Sequence, residues 1–151
     1  MSLITDKVFY AALKSNAELV GLVGDRIEST AIPVPDDEFL NEPVPFIIIT
    51  FDGLQNDGFT KDNSYEGCED TVQIGIEIDA ENREQLGVIA EMVRATVISF
   101  FENYTPPTDP GAEDLTQLIP DNYTFSAGPI QYDPIKPCFF QTLTYNCDTT
   151  P

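Results

Sequence analysis

Alternating apolar and polar residues, followed by helical spacing, predict one strand leading directly into one helix between residues 68 and 102. A strand has a side-chain period of two, so one of its faces carries Cys68, Asp70, Val72, Ile74, Ile76 and Ile78. The opposite face carries Glu69, Thr71, Gln73, Gly75, Glu77 and Asp79. Helical spacing then relates Leu86, Ile89, Ala90, Val93, Val97, Phe100 and Phe101. We therefore predict a half-buried strand at 68–79 and an amphipathic helix at 83–102, with Asp79 as its cap and Glu81 in its first turn.

The N-terminal part predicts a short helical segment and then a strand. Residues 5–14 form an amphipathic stripe behind the potential cap Thr5, and Asn16 can cap a second helix that stops at Gly24. An extended segment begins at Arg26-Ile27. The connection at 28–45 contains four prolines, which forbid a helix. Residues 46–51 (Phe-Ile-Ile-Ile-Thr-Phe) are typical of a buried strand.

The segment at 52–67, rich in Asp, Asn and Gly, joins the two predicted central strands. Such a junction usually makes an antiparallel hairpin. The segment is long for a hairpin loop, which favours a projecting arm that becomes ordered against a neighbour. Its candidate contact residues are Asn56, Phe59 and Tyr65.

Residues after the long helix predict a stiff exit, one helical turn and two more strands. The connection at 103–122 contains several prolines, and its apolar residues Leu115, Leu118 and Ile119 have the spacing of a single helical turn. Strands are predicted at 123–132 and 138–147. In the last strand one face carries Phe139, Gln141, Leu143 and Tyr145, and the other carries Cys138, Phe140, Thr142 and Thr144.

These elements predict a single α+β domain spanning residues 1–151. Its sheet is expected to be mainly antiparallel, with about four strands, one long helix packed across it and a short N-terminal helical segment. A chain of 151 residues is long enough to bury roughly 70% of its unfolded surface. Ten Phe and six Tyr supply a packed core.

The net charge of −19 argues against nucleic-acid binding, because phosphate contacts need clustered Lys and Arg, of which the chain has seven. Two interpretations of the acidity remain open. It provides solubility, or one acidic face meets a basic partner or lines a passage. Charges in the first helix interrupt any signal-peptide pattern, and no apolar run approaches the roughly 18 residues of a membrane span.

The residue types do not indicate an enzyme. There is no His, the commonest general base and metal ligand, so Ser and Cys nucleophiles lack their usual partner. Acidic pairs within Asp36-Asp37-Glu38 are expected by chance in such a chain. Asp57, Asp62 and Glu66 supply oxygen ligands but do not match an EF-hand. We expect no catalytic residues, cofactor or metal, and we expect free thiols, because Cys138 and Cys147 lie too far apart along one strand to pair.

The long helix has a wider apolar face than one sheet requires. Val88, Met92 and Ala95 flank its core stripe, and Ile98 lies among charged residues. A fully buried helix and a subunit interface both explain this pattern. Val88, Met92 and Ile98 are therefore candidate interface residues.

Several of these segments resemble one known family. They are the first helix with Ala11-Ala12-Leu13-Lys14, the turn Leu22-Val23-Gly24-Asp25-Arg26-Ile27, the Pro-led strand 45–49, the alternating strand 72–80 and the helix 86–101. The chain resembles the tail completion, or tail terminator, proteins of long-tailed bacteriophages and prophages, over roughly residues 5–102.

The resemblance implies a structural protein without catalysis or a cofactor. Members of that family form a hexameric ring on the head-proximal end of the tail tube, where the ring stops tube polymerisation and meets the neck proteins. The implied partners are other copies of the chain, the tail tube protein and a neck or head-completion protein. The implied location is the virion tail, assembled in the cytoplasm of the host bacterium. The alternatives are a neck or head-completion component, a module that binds a small ligand between sheet and helices, and, third, an enzyme.

Overall fold

The computed structural model describes residues 5–29, 44–56, 70–105 and 117–150. These residues form three helices and six strands. In chain order the elements are α1 (Thr5–Lys14), α2 (Ala17–Val23), β1 (Ile27–Ser29), β2 (Phe46–Asn56), β3 (Asp70–Ala80), α3 (Arg83–Asn103), β4 (Gln117–Ala127), β5 (Gln131–Asp133) and β6 (Cys138–Thr150).

The strands form one mixed sheet in the order β1-β2-β3-β6-β4, and β5 also pairs with β6. The β1–β2 pair is parallel and the other pairs are antiparallel. The α+β class is confirmed, but the prediction of about four strands was too low. Strand β1 lies in the extended segment predicted from Arg26-Ile27, and β5 includes the end of the strand predicted at 123–132. Each has three residues, which is too short for a side-chain period that would define it as a separate strand.

The predicted alternation of β3 is confirmed. Ile76 lies between Ile49 of β2 and Leu143 of β6, and all three side chains are buried beneath the helices. Strand β2 is longer than predicted, because a register shift between Phe51 and Gly53 lets the pairing continue to Asn56. Residues 52–56 therefore belong to the sheet and not to an arm, and residues 57–69 lie outside the described part.

Side-chain caps fix the ends of the helices. Asn16 accepts hydrogen bonds from the N–H groups of Glu18 and Leu19 at the start of α2, and Gly24 ends this helix in the left-handed conformation at φ 60°. The prediction that Asp79 caps the long helix was wrong. Asn82 caps it by accepting from Gln85 N–H at 2.8 Å, and β3 continues past Asp79 to Ala80.

Strand β4 corrects two further predictions. Leu118 and Ile119, expected in a helical turn, are part of this strand, which pairs with β6 through an irregularity between Leu118 and Tyr123. Pro120 falls within that irregularity, where a missing N–H does not interrupt a ladder. The strand predicted at 123–132 is broken, because β4 ends at Ala127 and β5 begins at Gln131. Leu115 lies outside the described residues.

An aromatic cluster joins the helices to the sheet. Phe101 of α3 stacks on Tyr123 of β4 with ring centroids 4.3 Å apart, and it makes a T-shaped contact with Phe9 of α1 at a centroid distance of 6.1 Å. Tyr145 of β6 lies beside Phe9 at 5.6 Å and beside Phe125 at 5.1 Å. The rings thus connect α1, α3, β4 and β6 in one core.

Replacing Tyr145 with phenylalanine is expected to leave stability unchanged or raise it by about 1 kcal/mol. Tyr145 is 1% exposed, and its hydroxyl has no hydrogen-bond partner among the described residues. Burial also raises the pKa of this phenol. Urea unfolding of Tyr145→Phe measures the change, with the half-buried Tyr123→Phe as the matched control. A loss of more than about 1 kcal/mol would show that the hydroxyl is hydrogen-bonded in solution.

Candidate functional site

The helix layer carries a surface depression of about 1780 Å³, which follows α3. Helix α1 borders it through Val8 and Ala12, and β4 and β6 border it through Phe125 and Leu143. Asn16 Nδ2 donates to Thr96 Oγ1 at 2.7 Å and so fixes the start of α2 against α3. The depression is open to the surface and flanks the helix that the sequence identified as unusually apolar.

The charges that line this depression balance. Lys7, Arg83 and Arg94 supply three cations, and Glu18, Glu84 and Glu91 supply three carboxylates. The Arg94 guanidinium lies 4.6 Å from the centroid of the Phe125 ring, which stacks a cation on an aromatic face. In a chain of net charge −19, this part of the surface is therefore close to neutral.

The predicted interface residues do not form one patch. Val88, which is 50% exposed, and Met92 both line the depression. Ile98 does not line it and is half-buried. Successive helical residues are separated by about 100°, so Ile98 lies about 120° around the helix from Met92. Asn56 is the last residue of β2, while Phe59 and Tyr65 lie outside the described residues.

The opposite face of the sheet, called here the outer sheet face, is acidic. Strand register places six carboxylates on it: Glu28, Asp52, Glu77, Asp79, Asp133 and Asp148. None of the six described strands contains a Lys or Arg. The helices of the described part pack on the other face, against residues such as Ile47 and Ile76. The outer sheet face and the helix layer therefore differ in charge as well as in structure.

Asp79 is the most unusual side chain on the outer sheet face. It is 7% exposed, and its Oδ1 has no hydrogen-bond partner among the described residues, although Cys138 Sγ donates to Oδ2 at 3.5 Å. Burial, followed by the neighbouring Glu77 carboxyl, raises the pKa of Asp79 to about 7. Lys136, whose ammonium lies 4.4 Å from the centroid of the Phe46 ring, opposes that rise.

The two described cysteines are unsuited to nucleophilic catalysis. Cys138 and Cys147 are free and buried. Burial raises the pKa of the Cys138 thiol to about 11, with Asp79 adding to the rise, and burial raises the pKa of Cys147 to about 12. Both groups are thus protonated at neutral pH, whereas the thiolate is the reactive form.

In the described residues, no three His, Cys, Asp or Glu side chains are arranged so that they could hold a metal ion. Across these same ranges, no helix combines the length and apolar character needed to cross a membrane.

The proximity of Glu77, Asp79 and Cys138 could not be predicted from the sequence alone. Alternation placed the two carboxylates on the polar face of β3, and it placed Cys138 on one face of β6. The pairing of Asp79 with Phe140 brings Cys138 near although 59 residues separate it from Asp79. Strand order and register set this proximity, and neither can be read from local periodicity.

Comparison with known proteins identifies a shared fold. No family model and no curated protein matches the chain. Among solved structures, a chain from the virion of a native gene transfer agent (GTA) particle matches with a TM-score of 0.60 and 13% sequence identity. The match covers 95% of this chain and 92% of that chain. At this identity, the likeness concerns the fold.

Proposed function

We propose that the protein is a structural virion component that caps the head-proximal end of a phage tail tube as a closed ring. In this role it ends tube polymerisation and joins the tail to the neck. The observation that carries the proposal is the fold shared with a GTA virion chain over nearly the whole length of both chains. The tail terminator pattern in the sequence supports the more specific role within a virion.

The surface of α3 supports an assembly role more than binding of a small ligand. A typical small-molecule pocket encloses about 300–1,000 Å³ and buries most of its ligand. The α3 depression is larger, at about 1780 Å³, and open. A protein surface fits such a shape better than a metabolite does.

The balanced charge of the depression supports contact between copies of this chain. In a closed ring each subunit uses two different patches, one for each neighbour. Two subunits of charge −19 repel, so their contact is most favourable where the net charge is near zero and apolar side chains are exposed. Val88 and Met92 lie on such a surface.

Replacing Val88 with aspartate is expected to convert a discrete oligomer, expected to be a hexamer, to monomers. The substitution places a charge on an exposed helix position and leaves the core untouched. Sedimentation velocity measures the mass. Because salt screens the repulsion between subunits, the wild-type oligomer should tighten as ionic strength rises from about 0.05 to 0.5 M.

The matched control is Ile135→Asp, which adds the same charge at the 87% exposed Ile135 on the β5–β6 turn. This variant should remain oligomeric and, mixed with purified tail tube protein, should limit tube length in electron micrographs as the wild type does. A wild-type monomer would contradict the ring. An oligomeric Val88→Asp variant would remove this helix surface from the interface, and unlimited tube growth would contradict capping.

A further inference from the structure

We propose that the outer sheet face binds a basic segment of another protein, with an Arg or Lys side chain of that segment reaching Asp79. The proposal goes beyond ring formation, because this face and the α3 depression lie on opposite sides of the sheet. It concerns a surface formed by β1, β2, β3, β5 and β6, whose carboxylates come from distant parts of the chain.

Carboxylates of the outer sheet face are arranged in a row along β3. On β3, Gly75 leaves room for the Asp52 carboxylate above it, and Glu77 and Asp79 follow at two-residue intervals on the same face. At the other end of β3, Asp148 accepts a hydrogen bond from the Thr71 hydroxyl at 2.9 Å. These groups lie along the length of β3, on β3 itself and on the neighbouring strands β2 and β6. An extended basic segment can therefore contact several of them in succession.

The buried carboxyl of Asp79 is an independent indication that this face binds a cationic group. An unpaired buried polar atom destabilises the folded protein, and the destabilisation is larger when the atom carries a charge. Asp79 Oδ1 destabilises the folded protein in this way, because it is buried and has no hydrogen-bond partner among the described residues. A guanidinium or ammonium group donates to such an oxygen and compensates the charge of the adjacent Glu77, which removes this destabilisation on binding.

The charge of the outer sheet face restricts which kind of partner can bind there. Nucleic acid is excluded by its charge. A second copy of this chain is also a poor match, because it carries 26 acidic residues against seven basic ones. Its described cations are dispersed over α1, the α2–β1 turn, α3 and the β5–β6 turn. The complementary surface therefore belongs to a different protein that presents clustered Arg or Lys.

Binding should also depend on pH. The charged and titratable groups around Asp79 are Glu77 on the same strand, Cys138 on β6, Lys136 in the adjoining turn and Asp133 on β5. A bound cation favours the ionised form of Asp79, so binding releases a proton where that carboxyl is still protonated. Affinity for a basic ligand should consequently rise between about pH 5.5 and 8.

The test uses a fluorescent hexa-arginine peptide, titrated by anisotropy at pH 7.5 and about 0.1 M salt. The variant Glu77→Gln/Asp79→Asn/Asp148→Asn should weaken binding about ten-fold or more. The control Asp25→Asn/Glu81→Gln/Glu102→Gln removes the same charge at exposed positions outside the strands and outside the α3 depression, and it should change affinity less than about two-fold. Equal losses in the two variants would overturn the proposal, since they would show attraction to the net charge only.

A single substitution tests Asp79 itself. With Asp79→Asn, the increase in affinity between pH 5.5 and 8 should be smaller than in the wild type, with Asp52→Asn as the control that retains it. Circular dichroism verifies folding of each variant. An unchanged pH dependence in Asp79→Asn would exclude Asp79 as the contact. Oligomer mass is measured in parallel, so failure of this proposal remains distinct from failure of the ring.

Discussion

Replacing Phe101 with alanine is expected to lower the free energy of unfolding by about 3–5 kcal/mol. Phe101 is 3% exposed, stacks on Tyr123 at 4.3 Å and makes a T-shaped contact with Phe9. The substitution removes this aromatic contact and leaves a cavity where α1, α3 and β4 meet. Urea unfolding followed by circular dichroism should show a lower midpoint with an unchanged slope, because the compactness of the two states is preserved.

The matched control is the neighbouring Phe100, which is half-buried beside Tyr104 with ring centroids 5.5 Å apart. Phe100→Ala should cost less than Phe101→Ala, since less apolar area is lost and no enclosed cavity forms. A domain is stabilised by about 5–15 kcal/mol in total, so Phe101→Ala should remove a large part of it. Equal costs for the two variants would show that the aromatic cluster is not the centre of the core.

The free energy of unfolding is expected to fall by up to about 4 kcal/mol between pH 4 and 7 through Asp79. Below about pH 3.8 the carboxyl is protonated in both states. Between that value and its folded pKa of about 7, the unfolded chain loses the proton while the folded chain keeps it. Deprotonation therefore favours unfolding throughout this window, and the loss is complete above about pH 7.

The variant Asp79→Asn isolates this contribution. Its difference in unfolding free energy from the wild type should shift in favour of the variant as pH rises from 4 to 7. Growing negative charge on the whole chain also lowers stability with pH, so Asp52→Asn, which removes a charge from the same face, provides the reference. Urea unfolding at pH 4, 5.5, 7 and 8 measures all three proteins. Parallel curves for wild type and Asp79→Asn would show that Asp79 ionises at its ordinary pKa in the folded state.

Local patterns predicted the elements that are long enough to display a period. Strand β3 and helix α3 were found because Val72–Ile78 alternate and Leu86–Phe101 recur at helical spacing over several turns. Asn16 and Gly24 were assigned correctly as caps, since each acts on backbone groups within a few residues. The three-residue strands β1 and β5 fell within a predicted extended segment and a longer predicted strand, but their bounds and pairing could not be predicted because their partners define them.

Local periodicity identified residues that belong to the candidate surfaces, but it did not identify which residues lie next to each other on them. It assigned Val88 and Met92 to a flank of α3, and it assigned Glu77 and Asp79 to the polar face of β3. It also grouped Ile98 with Val88 and Met92, although the helical twist places Ile98 on another flank. Asp79 was predicted to cap α3 because Asp is a favourable cap, but β3 continues to Ala80 and the equally favourable Asn82 lies at the start of the helix.

The α+β class, the apolar and polar faces of the central strand, the long amphipathic helix and the extreme acidity can all be read from the sequence. Each of these properties depends on residues that are close in the chain. The position of β6 between β3 and β4 and the charge-balanced depression along α3 are visible only in the folded protein. Folding also places Cys138 beside Asp79 and buries that carboxyl. These features depend on strand order and register, which are set by packing between segments far apart in the sequence.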